Sequence, residues 1–266
     1  MMDRLLVMRL DVRGCTAQVR LNDIPMGQAG PRERALCVPV HEYLLNGDNE
    51  ITLVINPAPH GQPAATAPRL AAELTGASLR IVAPRTGQVA SSLTARTVAE
   101  FDWEVPEGDV YRTPLTVTRS ASLPIGFPRW RWLDAPEIPD VEAQRGLIAG
   151  FMQGIAADLL RGDAESFLTA SRLRIEELAE AYGQPAGDLV SRLRSRLHLL
   201  HATKALKMTI PSAPEFVLRA CANGRLIECM GAGGAPLLGT EPGPDGVSSA
   251  WPVRLAVVGG YCHILR

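Results

Sequence analysis

Tyr261 and His263 alternate with Cys262 in PVRLAVVGGYCHILR (252–266), so they share one strand face beyond a turn at Gly259-Gly260. As a general acid/base group His263 would need a partner to orient its imidazole, and residue order shows none. Glu228, in EFVLRACANGRLIECM (215–230), brings a carboxylate from the neighbouring hairpin. Simple pairing about Asn223-Gly224 puts Glu228 on the same face as Arg219, so a salt bridge is the other reading of that carboxylate. Trp130 and Trp132, in RWRW, supply flat apolar surface, either packed between domains or roofing a pocket. Trp130, Trp132, Glu228, Tyr261 and His263 form the candidate ligand-binding set, and no catalytic residue is assigned.

Other chemistry lacks its parts. His198 and His201 stand one turn apart on a helical stretch, but no Asp or Glu lies within a turn of them, so they read as surface histidines and no metal is expected. His41 and His60 fall in loops without an evident partner. There is no G-x-S-x-G elbow. GAGGAP (231–236) follows a strand and leads to no helix, which fits a loop and not a phosphate cradle. Arg192, Arg194 and Arg196 decorate a helix without interleaved aromatic residues and read as a solvated face. With 27 basic and 28 acidic residues, the chain has no general attraction for nucleic acid or anionic lipid.

No apolar run suits a signal peptide or a membrane span. The five cysteines are scattered, with no C-x-x-C, so reduced core thiols and a cytoplasmic location are expected.

The elements that position these groups change character along the chain. Residues 1–120 carry short runs of period-2 alternation: RLLVMRLDV, TAQVRLN, NEITLVIN, ASLRIVAP and PLTVTRS. This pattern predicts an antiparallel β-sandwich. In VHEYLLNGDNEITLVIN (40–56), Ile51, Leu53 and Ile55 share a face opposite Glu50, Thr52 and Val54. Gly47 provides a left-handed position, while Asp48 and Asn49 can bond nearby backbone, making NGDN a corner that launches a strand.

VRLNDIPMG (19–27) followed by VPVHEYLLNGDNEITLVI (38–55) resembles the galactose-binding-like jelly roll that accompanies many glycoside hydrolases, with Asp23 where glycine is usual. The resemblance implies a sandwich fold and raises carbohydrate recognition as one option. Tyr43 is the one aromatic residue in the first hundred, which argues against a sugar-stacking platform.

Residues 121–140, ASLPIGFPRWRWLDAPEIPD, form an ordered connector in which four prolines forbid a continuous helix. An extended path puts Trp130 and Trp132 on one face, with Arg129 and Arg131 on the other.

Residues 141–266 read as an α+β domain. Asp140 caps a helix running to Arg161, with Leu147, Phe151, Ile155 and Leu159 at i+4 spacing. Gly162-Asp163 turns into a second helix that presents Phe167, Ser171, Ile175, Leu178 and Tyr182 and stops at Gly183. A third helix spans roughly Asp188 to Lys204, and two hairpins follow. On the second hairpin, Val253, Leu255, Val257, Cys262 and Ile264 form an apolar face suited to covering the helices.

This order, with its Gly-Asp corner, resembles the NTF2-like (cystatin-like) α+β cone. It departs in having a substantial third helix and the insertion GAGGAPLLGTEPGPDG (231–246). That family places a carboxylate or histidine with a tyrosine inside its cone, which implies Glu228, His263 and Tyr261 here. It hosts enzymes, ligand binders and assembly modules alike.

The expected architecture is therefore two-domain, β plus α+β: an antiparallel β-sandwich, then helices packed on a curved antiparallel sheet. The expected function is a non-catalytic binding or assembly protein acting through protein or small-ligand contacts, as a homodimer or part of a bacterial complex. The alternatives are a small-molecule enzyme or ligand binder using the C-terminal cone, and carbohydrate recognition by the N-terminal sandwich. No cofactor, nucleic acid or membrane partner is expected.

Overall fold

The computed structural model describes residues 6–58, 65–84, 95–124, 126–208, 212–240, 242 and 250–266. His60 lies outside the described residues. Among the described residues the chain is a mixture of antiparallel sheets and four α-helices, and it divides into two compact units, Met1–Arg129 and Trp130–Arg266. The division falls at Arg129/Trp130, within the 121–140 segment.

In the first unit the strands are β1 (Val7–Arg13), β2 (Ala17–Leu21), β3 (Ile24–Ala29), β4 (Ala35–Pro39), β5 (Gly47–Ile55), β6 (Ala67–Leu70), β7 (Thr75–Ala83), β8 (Arg96–Val105), β9 (Val110–Thr113) and β10 (Leu115–Leu123). They form sheets ordered β4-β1-β7-β8 and β10-β5-β2-β3, plus a β6-β9 ribbon. Alternation decides which side is buried. Met8, Leu10, Leu79 and Ile81 are solvent-free in one sheet, and Val19, Leu21, Leu53 and Ile55 in the other.

NGDN is the corner expected. Gly47 has φ +92°, and Asn49 is fully buried. The Asn49 carboxamide accepts the Leu45 N–H at 2.7 Å and donates to the Leu45 and Gly47 carbonyls at 2.9 and 3.0 Å. It also accepts from Asn22 Nδ2 at 3.0 Å. Asn22 in turn donates to the Tyr43 carbonyl and accepts the Glu50 N–H. Two buried amides therefore staple the β2–β3 turn to the loop entering β5. Asn22 and Asp23 both have positive φ, 49° and 60°, which is why glycine suits position 23. Asp23 occupies it while pairing with Arg20 at 3.1 Å.

His41 corrects the sequence reading. It begins a short 3-10 turn (His41–Tyr43), is buried, and its Nε2 accepts the Leu6 N–H at 2.5 Å, with Phe127 5.1 Å away ring to ring.

The second unit contains α1 (Arg145–Leu160), α2 (Glu165–Ala170), α3 (Arg172–Tyr182), α4 (Ala186–Ala202), β11 (Leu206–Met208), β12 (Val217–Cys221), β13 (Leu226–Met230), β14 (Leu238–Thr240), β15 (Ala250–Trp251), β16 (Val253–Val258) and β17 (Tyr261–Ile264). Its sheets run β12-β13-β16-β17 and β11-β14-β15. Both predicted hairpins close through left-handed pairs, Asn223-Gly224 (φ 54°, 78°) and Gly259-Gly260 (φ 57°, 82°), as a type I′ turn requires. Ile227, Cys229, Val253, Leu255 and Ile264 join one core with Ile148, Ile155, Leu159, Phe167 and Leu197, so the helices cover that sheet face.

Three local expectations are adjusted. Asp140 caps a 3-10 turn (Glu142–Gln144) ahead of α1, accepting the Glu142 and Ala143 N–H groups. In α1 the buried stripe is Ile148, Met152, Ile155 and Leu159, while Leu147 is exposed. The second predicted helix is two helices, broken at Ser171 (φ −92°, ψ 1°), where the chain leaves helical geometry for one residue.

Gly162 ends α1 with φ +82°, and a Cβ there would lie 2.9 Å from the His201 ring, whose Nε2 lies 3.1 Å from the Leu160 carbonyl. Gly162→Ala is expected to cost about 1–2 kcal/mol in chemical denaturation, through backbone strain plus this clash. Adding His201→Ala should recover the steric part; a neutral Gly162→Ala would show that the corner relaxes freely.

Candidate functional site

The sheet face opposite the helices carries the predicted polar set. In the register Arg219↔Glu228↔Arg254, three adjacent strands bring their side chains side by side. Glu228 is buried; its Oε2 accepts from Arg219 Nη2, and its Oε1 accepts from Arg254 Nε at 3.2 Å and Nη2 at 3.0 Å. Arg254 is equally buried, whereas the Arg219 side chain keeps 28% of its exposure. The salt-bridge reading of Glu228 holds, extended by a second arginine.

His263 pairs with Ala256, which puts it two strands and two residues from Glu228, about 12 Å by strand spacing and rise. Glu228 therefore does not orient the His263 imidazole. Tyr261 pairs with Val258 beside the turn and is 73% exposed.

The tryptophans are not on one face of an extended strand, as the sequence suggests, because Arg131–Asp134 winds into a 3-10 turn between Pro128 and Pro136. Both indoles are buried. The Arg266 guanidinium lies 5.9 Å from the Trp130 ring, and the Trp132 N–H meets no acceptor among the described residues. Glu177 on α3 anchors the turn, accepting the Arg131 N–H at one oxygen and Arg266 Nη1 at the other, 2.5 Å away. Arg131 also pairs with Glu176 at 2.7 Å. That guanidinium, with help from Arg172, holds the Glu176 carboxyl below its ordinary range. A carboxyl depressed on folding contributes stability above its unfolded pKa, and the contribution is lost as pH falls through the folded value.

A cavity lies elsewhere, on the helix side of the unit. Phe167, Ser171, Ile175, Leu193, Leu197 and Trp251 line about 190 Å³. None of the five predicted residues takes part in its lining. Ser171, at the α2/α3 break, is buried, and its hydroxyl has no hydrogen-bond partner among the described residues. Arg196, expected to be solvated, lies over the Trp251 ring at 5.2 Å. The one sequence signal for this site was a serine inside an otherwise apolar i+4 stripe. In the first unit, a cleft of about 140 Å³ is lined by residues including Asp11, Arg13 and Glu104, with no aromatic ring for sugar stacking.

Among the described residues no three His, Cys, Asp or Glu side chains are grouped to hold a metal, and no helix is long and apolar enough to cross a membrane. All five cysteines are unbridged, and Cys37 departs from the core expectation by being exposed. Burial pushes the Cys262 thiol up to about 11 and raises Cys15 and Cys229 as well. At pH 8 iodoacetamide should therefore label Cys37 first, with Cys262 only about one part in a thousand thiolate. Peptide mass mapping checks the order, and equal rates at Cys262 and Cys37 would contradict this burial.

No family model, curated protein or solved structure matches the chain.

Proposed function

We propose that the protein is a non-catalytic binding or assembly protein that works through contacts with another protein or a small ligand. The observation that carries this reading is the Arg219–Glu228–Arg254 ladder: the carboxylate that acid/base chemistry on this face would use is committed to two arginines. A carboxylate whose two oxygens are both engaged in this way is a structural group. The solvent-free faces of the two sheets in the first unit support an antiparallel sandwich of the galactose-binding-like kind. The helices on a hairpin sheet in the second support an NTF2-like cone. The apolar cavity favours ligand binding as the second reading over catalysis.

Native mass spectrometry of the intact chain purified from its own host tests the proposal. A homodimer, a defined complex or a retained small molecule is the expected result, and a retained molecule should persist in His263→Ala. A bare monomer at every concentration overturns it.

A further inference from the structure

We infer that the open edge of β4 (Ala35–Pro39) pairs antiparallel with the β4 edge of a second copy of this chain, across a two-fold axis at Leu36. This rests on reading the protein as an assembly module and adds the surface and the partner. The free groups of the strand follow from its register on β1. The Val12 N–H donates to the Arg34 carbonyl and the Val40 N–H to the Leu6 carbonyl, with Leu10 opposite Leu36 and Met8 opposite Val38. Even-numbered residues of β4 therefore direct their backbone groups to β1, and Ala35 and Cys37 direct theirs to the open side. β4 is an outer strand, and the Ala35 and Cys37 N–H and C=O groups have no partner among the described residues. Both residues are exposed.

Folded proteins blunt such edges with charges, proline or bulges. The other outer strands of the two four-stranded sheets in the first unit follow that rule. β8 carries Arg96, Glu100, Asp102 and Glu104, β10 carries Arg119, and β3 has Pro25 beside a register shift. β4 has no charged residue, pairs with β1 without a shift and keeps its proline for the last position.

The edge is complementary to itself. With Leu36 on the axis, Ala35 of one copy faces Cys37 of the other, and each such pair exchanges N–H···O=C bonds in both directions. Pro39 brings no N–H, but it faces Glu33, whose carbonyl already accepts the Gly30 N–H at 2.8 Å, so no acceptor is stranded. The half-buried Leu36 side chains meet on the axis. On the outer face the row across the two copies reads Arg9, Cys37, Ala35, Asp11, with small side chains in the middle and opposite charges at the ends. A two-fold axis repeats each of these matches, which selects a second copy over an unrelated extended peptide.

Sedimentation equilibrium of the full-length protein tests this. The wild type should form a dimer that dissociates on dilution. Cys37→Pro removes an N–H from the open side of each copy and none from the β1 ladder. It should weaken the dimer roughly ten- to thirtyfold and leave the far-ultraviolet circular dichroism unchanged. Leu36→Cys, in a Cys37→Ser background, puts its thiols on a non-hydrogen-bonded pair with Cα atoms about 4.5 Å apart, within reach of a disulfide. Oxidation with diamide should then give a covalent dimer on a non-reducing gel, absent from Cys37→Ser alone. If Cys37→Pro does not fold, the crosslink decides.

A dimer indifferent to Cys37→Pro, or no covalent dimer from the Leu36→Cys protein, would overturn the inference. If native mass spectrometry then still finds a complex or a retained molecule, this edge falls and the binding reading stands. A bare monomer at every concentration removes both.

Discussion

Glu228→Gln should lower the unfolding free energy by about 3–5 kcal/mol. Glutamine keeps the shape but withdraws the negative charge from between Arg219 and Arg254, and Arg254 is only 5% exposed at its side chain. A buried guanidinium deprived of its carboxylate bears the cost of desolvation without the Coulombic return. The two arginines should not be equivalent. Arg219 retains more contact with water, so Arg219→Gln should cost about 1 kcal/mol and Arg254→Gln clearly more. Replacing both members of the buried pair, Glu228→Leu with Arg254→Leu, should cost less than Glu228→Gln alone, because the more buried guanidinium leaves with the carboxylate and only Arg219, which keeps 28% of its side-chain exposure, loses its partner. Urea unfolding at pH 7 measures all four. A Glu228→Gln penalty below about 1 kcal/mol would show that water reaches the ladder in solution.

Asn49→Ala should cost about 2–4 kcal/mol, from four hydrogen bonds lost at a fully buried position. The Leu45 N–H and the Leu45 and Gly47 carbonyls would lose their carboxamide partner together, while Asn22 would lose Asn49 and keep its bonds to the Tyr43 carbonyl and the Glu50 N–H. Asn49→Asp should be worse at neutral pH, since a carboxylate would face two carbonyl oxygens that now receive hydrogen bonds. Burial favours its neutral form, so the folded state of this variant takes up a proton more readily than the unfolded chain. Its stability deficit relative to Asn49→Ala should therefore shrink as pH falls from 7 toward 4. Thermal unfolding of the two variants across that range decides the matter. A deficit independent of pH would mean that the carboxylate reaches water.

Turn chemistry and alternation were legible from residue order, because both are local. Gly47, Asn223-Gly224 and Gly259-Gly260 need left-handed backbone wherever they occur, and the period-2 runs divide into a buried and an outer face in any antiparallel sheet. The pairing of Arg219 with Glu228 followed from hairpin register for the same reason. What residue order did not disclose depends on which strands become neighbours. Arg254 reaches Glu228 only because β16 lies beside β13, across a separation of 26 residues. The same adjacency puts β17 one strand further out, so His263 lies two strands from Glu228. Leu193, Ser171 and Trp251 line one cavity although each comes from a different element, and no local period encodes that meeting. Local backbone preference settles a turn within a few residues, whereas burial of a polar group is set by everything that packs on it. Turns and strand faces were therefore readable in the linear chain, and the buried ladder and the cavity came only with its folding.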